Sequence, residues 1–359
     1  MGLFDEMLRE EESLFLDSLS LDVDFVPGVV KHREQEQHHI ATCIKPLMQQ
    51  RSGRNVLITG KPGIGKTVAA KHVLRELKKE TERIETIYIN CWKKETAHKI
   101  ALEICQQIGF HFIHNKDTTD LFRDIARVLN KKAAVIVLDE VDKVAGNEIF
   151  YTIMEDIFRK TLLFITNDAM WLSRLDERVR SRIMPELLEF KPYTYDETFD
   201  ILKERMQYAF VPQVFDEGAL AFVAEKTFHA GDIRAGLFLL REAGEIAEGK
   251  ASRKITLDHA QKAADKLKDF HIKSTTSLAA DEQLILDFVK LHLGKTAKQI
   301  YDLYTKDEKI SYSTFQRKIK NLEKGKFIQL KKVNEGKPGS TTLVLSRTMQ
   351  LDTFSPSSL

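Results

Sequence analysis

A chain of 359 residues, 43% of them hydrophobic, can bury a sizeable core and is long enough for two or three domains. Charged residues make up 30%, but 55 Lys+Arg stand against 53 Asp+Glu, so a net charge of +2 neither demands nor excludes a nucleic-acid partner. Three scattered cysteines (Cys43, Cys91, Cys105) read as small apolar residues in a reducing compartment; no apolar run is long enough to span a membrane; and the acidic start (Asp5, Glu6, Glu10, Glu11, Glu12) argues against export, so a cytoplasmic protein is expected.

In chain order, an amphipathic opening (Leu3–Leu21) leads to a turn at Pro27–Gly28 and a polar helix carrying His32, Arg33, Glu34 and Glu36 towards Leu47. Strands are then expected at Asn55–Thr59, Thr86–Asn90, Ala133–Leu138, Thr161–Thr166 and Leu187–Phe190. Helices are expected between them at Val68–Lys79 and Ala97–Ile108. Buried apolar strands separated by helices predict an α/β unit, a mostly parallel sheet covered on both faces. After Pro192 the pattern becomes all-α, with helices at Tyr195–Tyr208, Asp216–Thr227, Asp232–Glu248 and Leu257–Lys268, and Lys273–Ser277 reads as a linker. The last unit has helices at Glu282–Leu291, Ala297–Tyr304 and Ser313–Glu323. Two β-like segments, Phe327–Val333 and Thr341–Leu345, follow and are joined by a tip containing Gly336 and Gly339. Helices followed by such a hairpin describe a winged helix.

The string Gly60-Lys61-Pro62-Gly63-Ile64-Gly65-Lys66-Thr67 fits the phosphate-loop pattern in full, with a strand leading in and a helix leading out through Val68. Its glycines let backbone N–H groups face phosphate oxygens, and the helix N-terminus adds partial positive charge. Lys66 is expected at the β- and γ-phosphates of ATP, and the Thr67 hydroxyl on Mg²⁺. Asp139, at the tip of an apolar strand, is placed to meet the same Mg²⁺ through water, and Glu140 to act as general base on the attacking water. Asn167 ends another strand, where its amide either positions that water or serves the turn.

These residues together resemble an AAA+ ATPase: a P-loop AAA+ core, an all-α lid, and here a C-terminal winged-helix domain. The resemblance implies that Arg234 in Gly231–Asp232–Ile233–Arg234 is a second sensor reaching the γ-phosphate. With the winged helix, and with Phe25–Val26–Pro27–Gly28 followed by His32–Arg33–Glu34, the chain is similar over residues 14–346 to the archaeal Orc/Cdc-type replication initiators. That similarity implies an ATP-dependent protein that binds origin DNA, helps load the replicative helicase, and hydrolyses ATP slowly as a switch to ADP. It implies an N-terminal signature near the adenine, and an arginine finger among Arg174, Arg178, Arg180 and Arg182. Arg178 is favoured, then Arg182, acting on the nucleotide of a neighbouring copy or paralogue. It also implies an insertion at Gly109–Thr119, where Phe110, Phe112 and Lys116 could meet DNA; His111, His114 and the adjacent His38 and His39 read as poor metal ligands. The partition is 1–192 for the core, with an N-terminal extension at 1–27, 193–272 for the lid and 279–350 for the winged helix. A nucleotide-sensing transcriptional regulator and an AAA+ helper of transposition are the alternatives.

In a winged helix the second helix of the turn motif enters the major groove and the wing touches backbone or minor groove. Ser313–Glu323 is the expected recognition helix. Its Lys318 and Lys320, with Lys331 and Lys332 on the wing and Lys337 at its tip, are expected on phosphate; Ser313, Thr314, Gln316 and Arg317 are candidates for base edges.

Overall fold

The computed structural model describes residues 13–110, 116–275, 280–292, 294–304, 310–324, 328–333 and 341–345. They form two compact units, one up to Ala264 and one from Asp265.

The first unit is built on five parallel strands: β1 (Val56–Thr59), β2 (Ile84–Asn90), β3 (Ala133–Asp139), β4 (Lys160–Ile165) and β5 (Glu186–Glu189), in the spatial order β2-β3-β4-β1-β5. Every residue of β3 and β4 is buried, which explains why they read as unbroken apolar runs. Alternate side chains of the sheet feed two cores. Val56, Ile58, Val135, Val137 and Leu163 face α1 (Glu34–Met48) and α2 (Lys66–Glu80). Leu57, Ile136, Leu138, Leu162 and Phe164 face the other side, where α3 (Ala97–Gln107), α4 (Thr118–Leu129), α5 (Glu148–Asp156) and α6 (Glu177–Ile183) pack. Three of these helices, α4, α5 and α6, go beyond the expected elements. In α4 the buried residues Leu121, Phe122, Ile125 and Leu129 hold one face, and Asp117 caps the start by accepting from the Asp120 amide at 2.7 Å. Thr118 and Thr119, expected in a loop, are therefore helical. His32 and Arg33 precede α1 rather than belonging to it, and His32 has φ of +59°.

Four helices complete this unit: α7 (Tyr195–Ala209), α8 (Glu217–Ala230), α9 (Ile233–Glu248) and the start of α10 (Leu257–Thr275). A capping box opens α7: Thr194 Oγ1 accepts from the Glu197 amide (3.3 Å), and Glu197 Oε2 from the Thr194 amide (2.8 Å). Residues 273–275, expected in a linker, continue α10.

Residues 13–28 form a strap along α7, α9 and α2. Phe15 stacks on Phe210 at 4.6 Å between centroids. Arg205 donates to the carbonyls of Ser20 (2.9 Å) and Phe25 (3.1 Å), Arg241 to Asp22 (2.6 Å), and Arg75 to the carbonyls of Val26 (3.0 Å) and Pro27 (2.6 Å). Each of these donors is charged, and the start of the strap also pairs with the chain at the end of α7 through Leu16 N–H to Ala209 O (2.8 Å) and Val211 N–H to Leu14 O (3.0 Å).

The second unit contains α11 (Ala280–Leu291), α12 (Ala297–Tyr304), α13 (Tyr312–Lys324) and an antiparallel hairpin, β6 (Gln329–Val333) with β7 (Thr341–Leu345). Leu286, Val289, Ile300, Phe315, Ile319, Leu322 and Val344 are buried in its core. The stretch between α11 and α12 pairs with β7 through Gly294 N–H to Val344 O (2.8 Å) and Val344 N–H to Lys295 O (3.1 Å). This is helix–helix–helix–wing order.

Candidate functional site

The phosphate loop leaves β1 and enters α2. Gly60 has φ of +143°, and a Cβ there would stand 2.6 Å from Phe190 O; Gly63 has φ of +71° and lies against the Asp232 carboxylate. Neither backbone tolerates a side chain. Arg33 braces the loop from behind. Its Nε donates to Ile64 O at 3.1 Å, one terminal nitrogen to Lys191 O at 2.7 Å and the other to Glu36 at 2.9 Å, while its guanidinium lies 3.9 Å over the Tyr193 ring. Arg33 is only 4% exposed. The residue following His32 thus acts through the loop's backbone, not at the cleft.

Inside the cleft, Lys66 Nζ donates to Gly60 O (2.7 Å), Lys61 O (2.6 Å) and Asn167 Oδ1 (2.7 Å). Burial pushes this ammonium down to about 8, against the pull of Asp139 and Glu140. The Thr67 hydroxyl donates to Asp139 Oδ2 at 2.6 Å, the Tyr88 hydroxyl donates to the same oxygen at 2.8 Å, and the Glu140 amide donates to Oδ1 at 2.9 Å. Desolvation, then Asp139, raise the Glu140 carboxyl above its ordinary range, and its backbone is left-handed, φ +54°. Thr166 Oγ1 donates to Asp142 at 2.7 Å, fixing the β4 tip that carries Asn167.

Helix α9 reaches this cleft directly. Its Ile233 amide donates to Gly63 O at 3.1 Å, and Arg234 pairs with Asp232 through Nε (2.9 Å) and a terminal nitrogen (2.6 Å). The cleft, about 240 Å³, runs from Lys66, Thr67, Val68 and Asp139 to an apolar end formed by Val23, Pro27, Val29, Ile201 and Leu237. The wall at that end includes the strap and α7. The donor set fits a triphosphate with a hard divalent cation: a lysine ammonium, a hydroxyl hydrogen-bonded to a strand-tip carboxylate, and an arginine, continuous with an apolar end of the cleft.

The arginine candidates differ. Arg178 is exposed in the first turn of α6, which follows β4 and precedes β5. Arg182, in the last turn, lies 4.3 Å over the Tyr151 ring. Arg174 pairs with Asp168.

On α13, Ser313, Gln316, Arg317 and Lys320 are exposed and, at i, i+3, i+4 and i+7, share one face. Thr314 and Lys318 are half-buried. The Thr314 hydroxyl meets the Ser311 hydroxyl at 2.8 Å, and Ser311 Oγ accepts from the Thr314 amide at 3.2 Å, so Thr314 serves the helix start. Glu323, the one acid between Ser313 and Asn334, accepts from the Leu330 amide at 3.2 Å, tying the helix to the wing. Lys331 and Lys332 are on β6; Lys337, Gly336 and Gly339 lie outside the described residues.

In the 109–119 stretch, Phe110 packs on the core and Lys116 lies 4.9 Å over its ring while pairing with Asp124, so neither is offered outward; Phe112, His111 and His114 lie outside the described residues. His39 groups not with His38 but with Cys43 and Glu186. There Arg54 takes Glu186 Oε1, and His39 (3.0 Å) and the Cys43 thiol (3.3 Å) lie at Oε2, which accounts for the cluster as an ion-paired network. Tyr88 and Arg33's bracing role escaped the sequence: only strand register brings Tyr88 beside Asp139.

Residues 49–167 match the family model described as AAA domain, and residues 199–265 the Cdc6 AAA+ ATPase-type lid domain. The chain is 30% identical to ORC1-type DNA replication protein 1 of Sulfurisphaera tokodaii, over 94% of this chain and 92% of that protein. It is 29% identical to the ORC1-type DNA replication protein of Desulfurococcus amylolyticus, over 96% and 95%. Among solved structures it is similar to the Aeropyrum pernix ORC1 protein in complex with DNA, with TM-score 0.72, 26% identity and 94% of each chain covered. The Aeropyrum pernix ORC2 protein in its ADPNP–ADP complexes shares the fold, with TM-score 0.66 and 20% identity over 94% of this chain and 95% of that one.

Proposed function

The chain belongs to the ORC1-type DNA replication protein family, and from that premise we propose that it is an ATP-controlled replication initiator. It recognises double-stranded origin DNA through its winged helix, helps load the replicative helicase, and uses slow ATP hydrolysis to reset. The observation that carries this reading is the meeting at one cleft of the phosphate loop, Asp139, Asn167 and the α9 start with Arg234.

In this reading the loop amides and Lys66 bind the phosphates, Lys66 leaving the carbonyls of Gly60 and Lys61 to do so. Thr67, and Asp139 through water, would hold Mg²⁺, which when bound would supply positive charge to the phosphate oxygens. Glu140 takes the proton of the attacking water at its carboxylate, and its raised affinity for protons suits a base. Asn167 orients that water. Arg234 releases Asp232 for the γ-phosphate, and because α9 is bonded to the loop at Gly63, the exchange shifts the lid. Arg178 completes the site of a neighbouring copy or paralogue. Residues 193–272 act as the lid and 279–350 as the DNA reader. No helix among the described residues is long and apolar enough to cross a membrane, and a cytoplasmic, nucleoid-associated protein is in keeping with this role.

The test has two parts. Lys66→Ala abolishes nucleotide binding, and Glu140→Gln keeps binding but loses turnover; normal turnover in Glu140→Gln would reject its role. Genome-wide mapping of bound DNA gives enrichment at replication start sites, whereas a footprint confined to promoters would make the protein a transcriptional regulator.

A further inference from the structure

We propose that Tyr88 is a positioning residue for Mg²⁺ at the nucleotide site, acting through the carboxylate of Asp139. The proposal rests on the nucleotide-site reading above and adds to it a residue that sits on a different strand.

Asp139 is 4% exposed, and its carboxylate is held by three donors. The Thr67 hydroxyl (2.6 Å) and the Tyr88 hydroxyl (2.8 Å) share Oδ2, and the Glu140 amide (2.9 Å) takes Oδ1. Thr67 is itself a cation ligand in this reading, so its oxygen must turn a lone pair towards the ion while its proton stays on Oδ2. Oδ2 then has to remain in one place whether or not the ion is bound. The Glu140 amide fixes only the other oxygen. Tyr88 is the remaining donor that fixes Oδ2 and does not touch the ion.

The tyrosine is built to hold that position. It lies on β2, an edge of the sheet, where backbone groups have no strand beyond them. The Gln107 side chain fills the gap: its Nε2 donates to Tyr88 O at 2.7 Å, and its Oε1 accepts from the Tyr88 amide at 3.0 Å. An edge residue so pinned loses the fraying expected of an open edge. Parallel pairing with β3 sets Asn90 opposite Asp139, which brings Tyr88, on the same strand, alongside the carboxylate. Lys71 covers the ring, its Nζ 4.6 Å from the centroid, and reaches back to Asp24 of the strap at 3.8 Å. The ring is therefore clamped by its backbone, its face and its hydroxyl. Residues that orient metal-holding groups from behind affect metal affinity by about 10–100-fold when removed.

The experiment uses the full chain and Tyr88→Phe, which keeps the ring and removes only the hydroxyl. Two quantities are measured: binding of a fluorescent ADP analogue in excess EDTA, and binding of Mn²⁺ to the ADP complex from the loss of the free-ion electron paramagnetic resonance signal. Asp139→Asn is run alongside. The expected result is metal-free ADP affinity within about twofold of the parent and Mn²⁺ affinity weakened about tenfold. Unchanged Mn²⁺ affinity in Tyr88→Phe, with weakened affinity in Asp139→Asn, would overturn the positioning role alone. Equal losses of metal-free ADP binding and of Mn²⁺ binding would make Tyr88 merely structural and also overturn it. Unchanged Mn²⁺ affinity in Asp139→Asn would remove the nucleotide-site reading on which the proposal stands.

Discussion

Arg33 offers a test of whether a residue that never touches nucleotide controls its binding. Arg33→Met keeps much of the side-chain volume and removes the guanidinium. Two backbone carbonyls, Ile64 O and Lys191 O, lose donors at 3.1 and 2.7 Å, and Tyr193 loses a cation 3.9 Å above its ring. A hydrogen bond from a charged group contributes about 1.5–3 kcal/mol, and a desolvated cation–π contact about 1 kcal/mol. Taking the lower figure for each carbonyl gives a loss of about 4 kcal/mol. At about 2–4 °C per kcal/mol for a unit of this size, the melting temperature falls by roughly 10 °C. The loop, no longer fixed from behind, has to be ordered by the ligand, and about 1.4 kcal/mol of that cost makes ATP bind about tenfold more weakly. The assays are thermal unfolding of the free protein and titration with a fluorescent ATP analogue. A melting shift under about 3 °C together with unchanged ATP affinity would refute the bracing role.

Three further outcomes follow from the same geometry. Arg317→Ala should relax sequence preference at a cost of about 1–3 kcal/mol, while Lys320→Ala weakens binding to all sequences alike and lowers the salt slope by about 1, both read by titration of duplex DNA over a salt series. If Arg178 acts in trans, mixing Arg178→Ala with Lys66→Ala restores ATP turnover that each lacks, whereas Arg182→Ala, stacked on Tyr151, stays active alone; no gain on mixing argues against the shared site. Gly236→Ala forces a methyl to within 2.7 Å of Leu202 Cδ2 and against Thr227, which should destabilise the first unit by about 1–3 kcal/mol in urea unfolding.

The parts legible in the sequence were those whose chemistry is local. The phosphate loop declares itself because glycine, lysine and threonine are needed at fixed spacing, and β3 because a strand covered on both faces has no polar position until Asp139. Helix α4 was missed because its start, Asp117–Thr118–Thr119, has turn chemistry, and its apolar positions follow a stretch of aromatic and histidine residues with no helical period. The resemblance implies that the signature Phe25–Gly28 with His32–Arg33–Glu34 lies near the adenine; Pro27 does line the apolar end of the cleft, while Arg33 turns inward to backbone carbonyls 31 and 158 residues away, partners that no local pattern announces. Tyr88 was hidden for the same reason: its partner is set by register between two strands. On α13 the period was readable, but the use of Glu323 by the wing was not.

Most anchors of the strap at residues 13–28 are made late in the chain. Phe15 rests on Phe210, Ser20 and Phe25 on Arg205, and Asp22 on Arg241; 185 residues separate Ser20 from its donor. The far end, Asp24 to Gly28, also meets early partners, Lys71, His72 and Arg75. At about 5–20 residues per second, a nascent chain leaves this segment waiting on the order of ten to forty seconds before α7 exists. Leu16, Leu19 and Val23 stay more than half exposed even when it is docked. Strap residues thus settle only once α7 and α9 exist, and until then the growing chain carries their apolar side chains unburied.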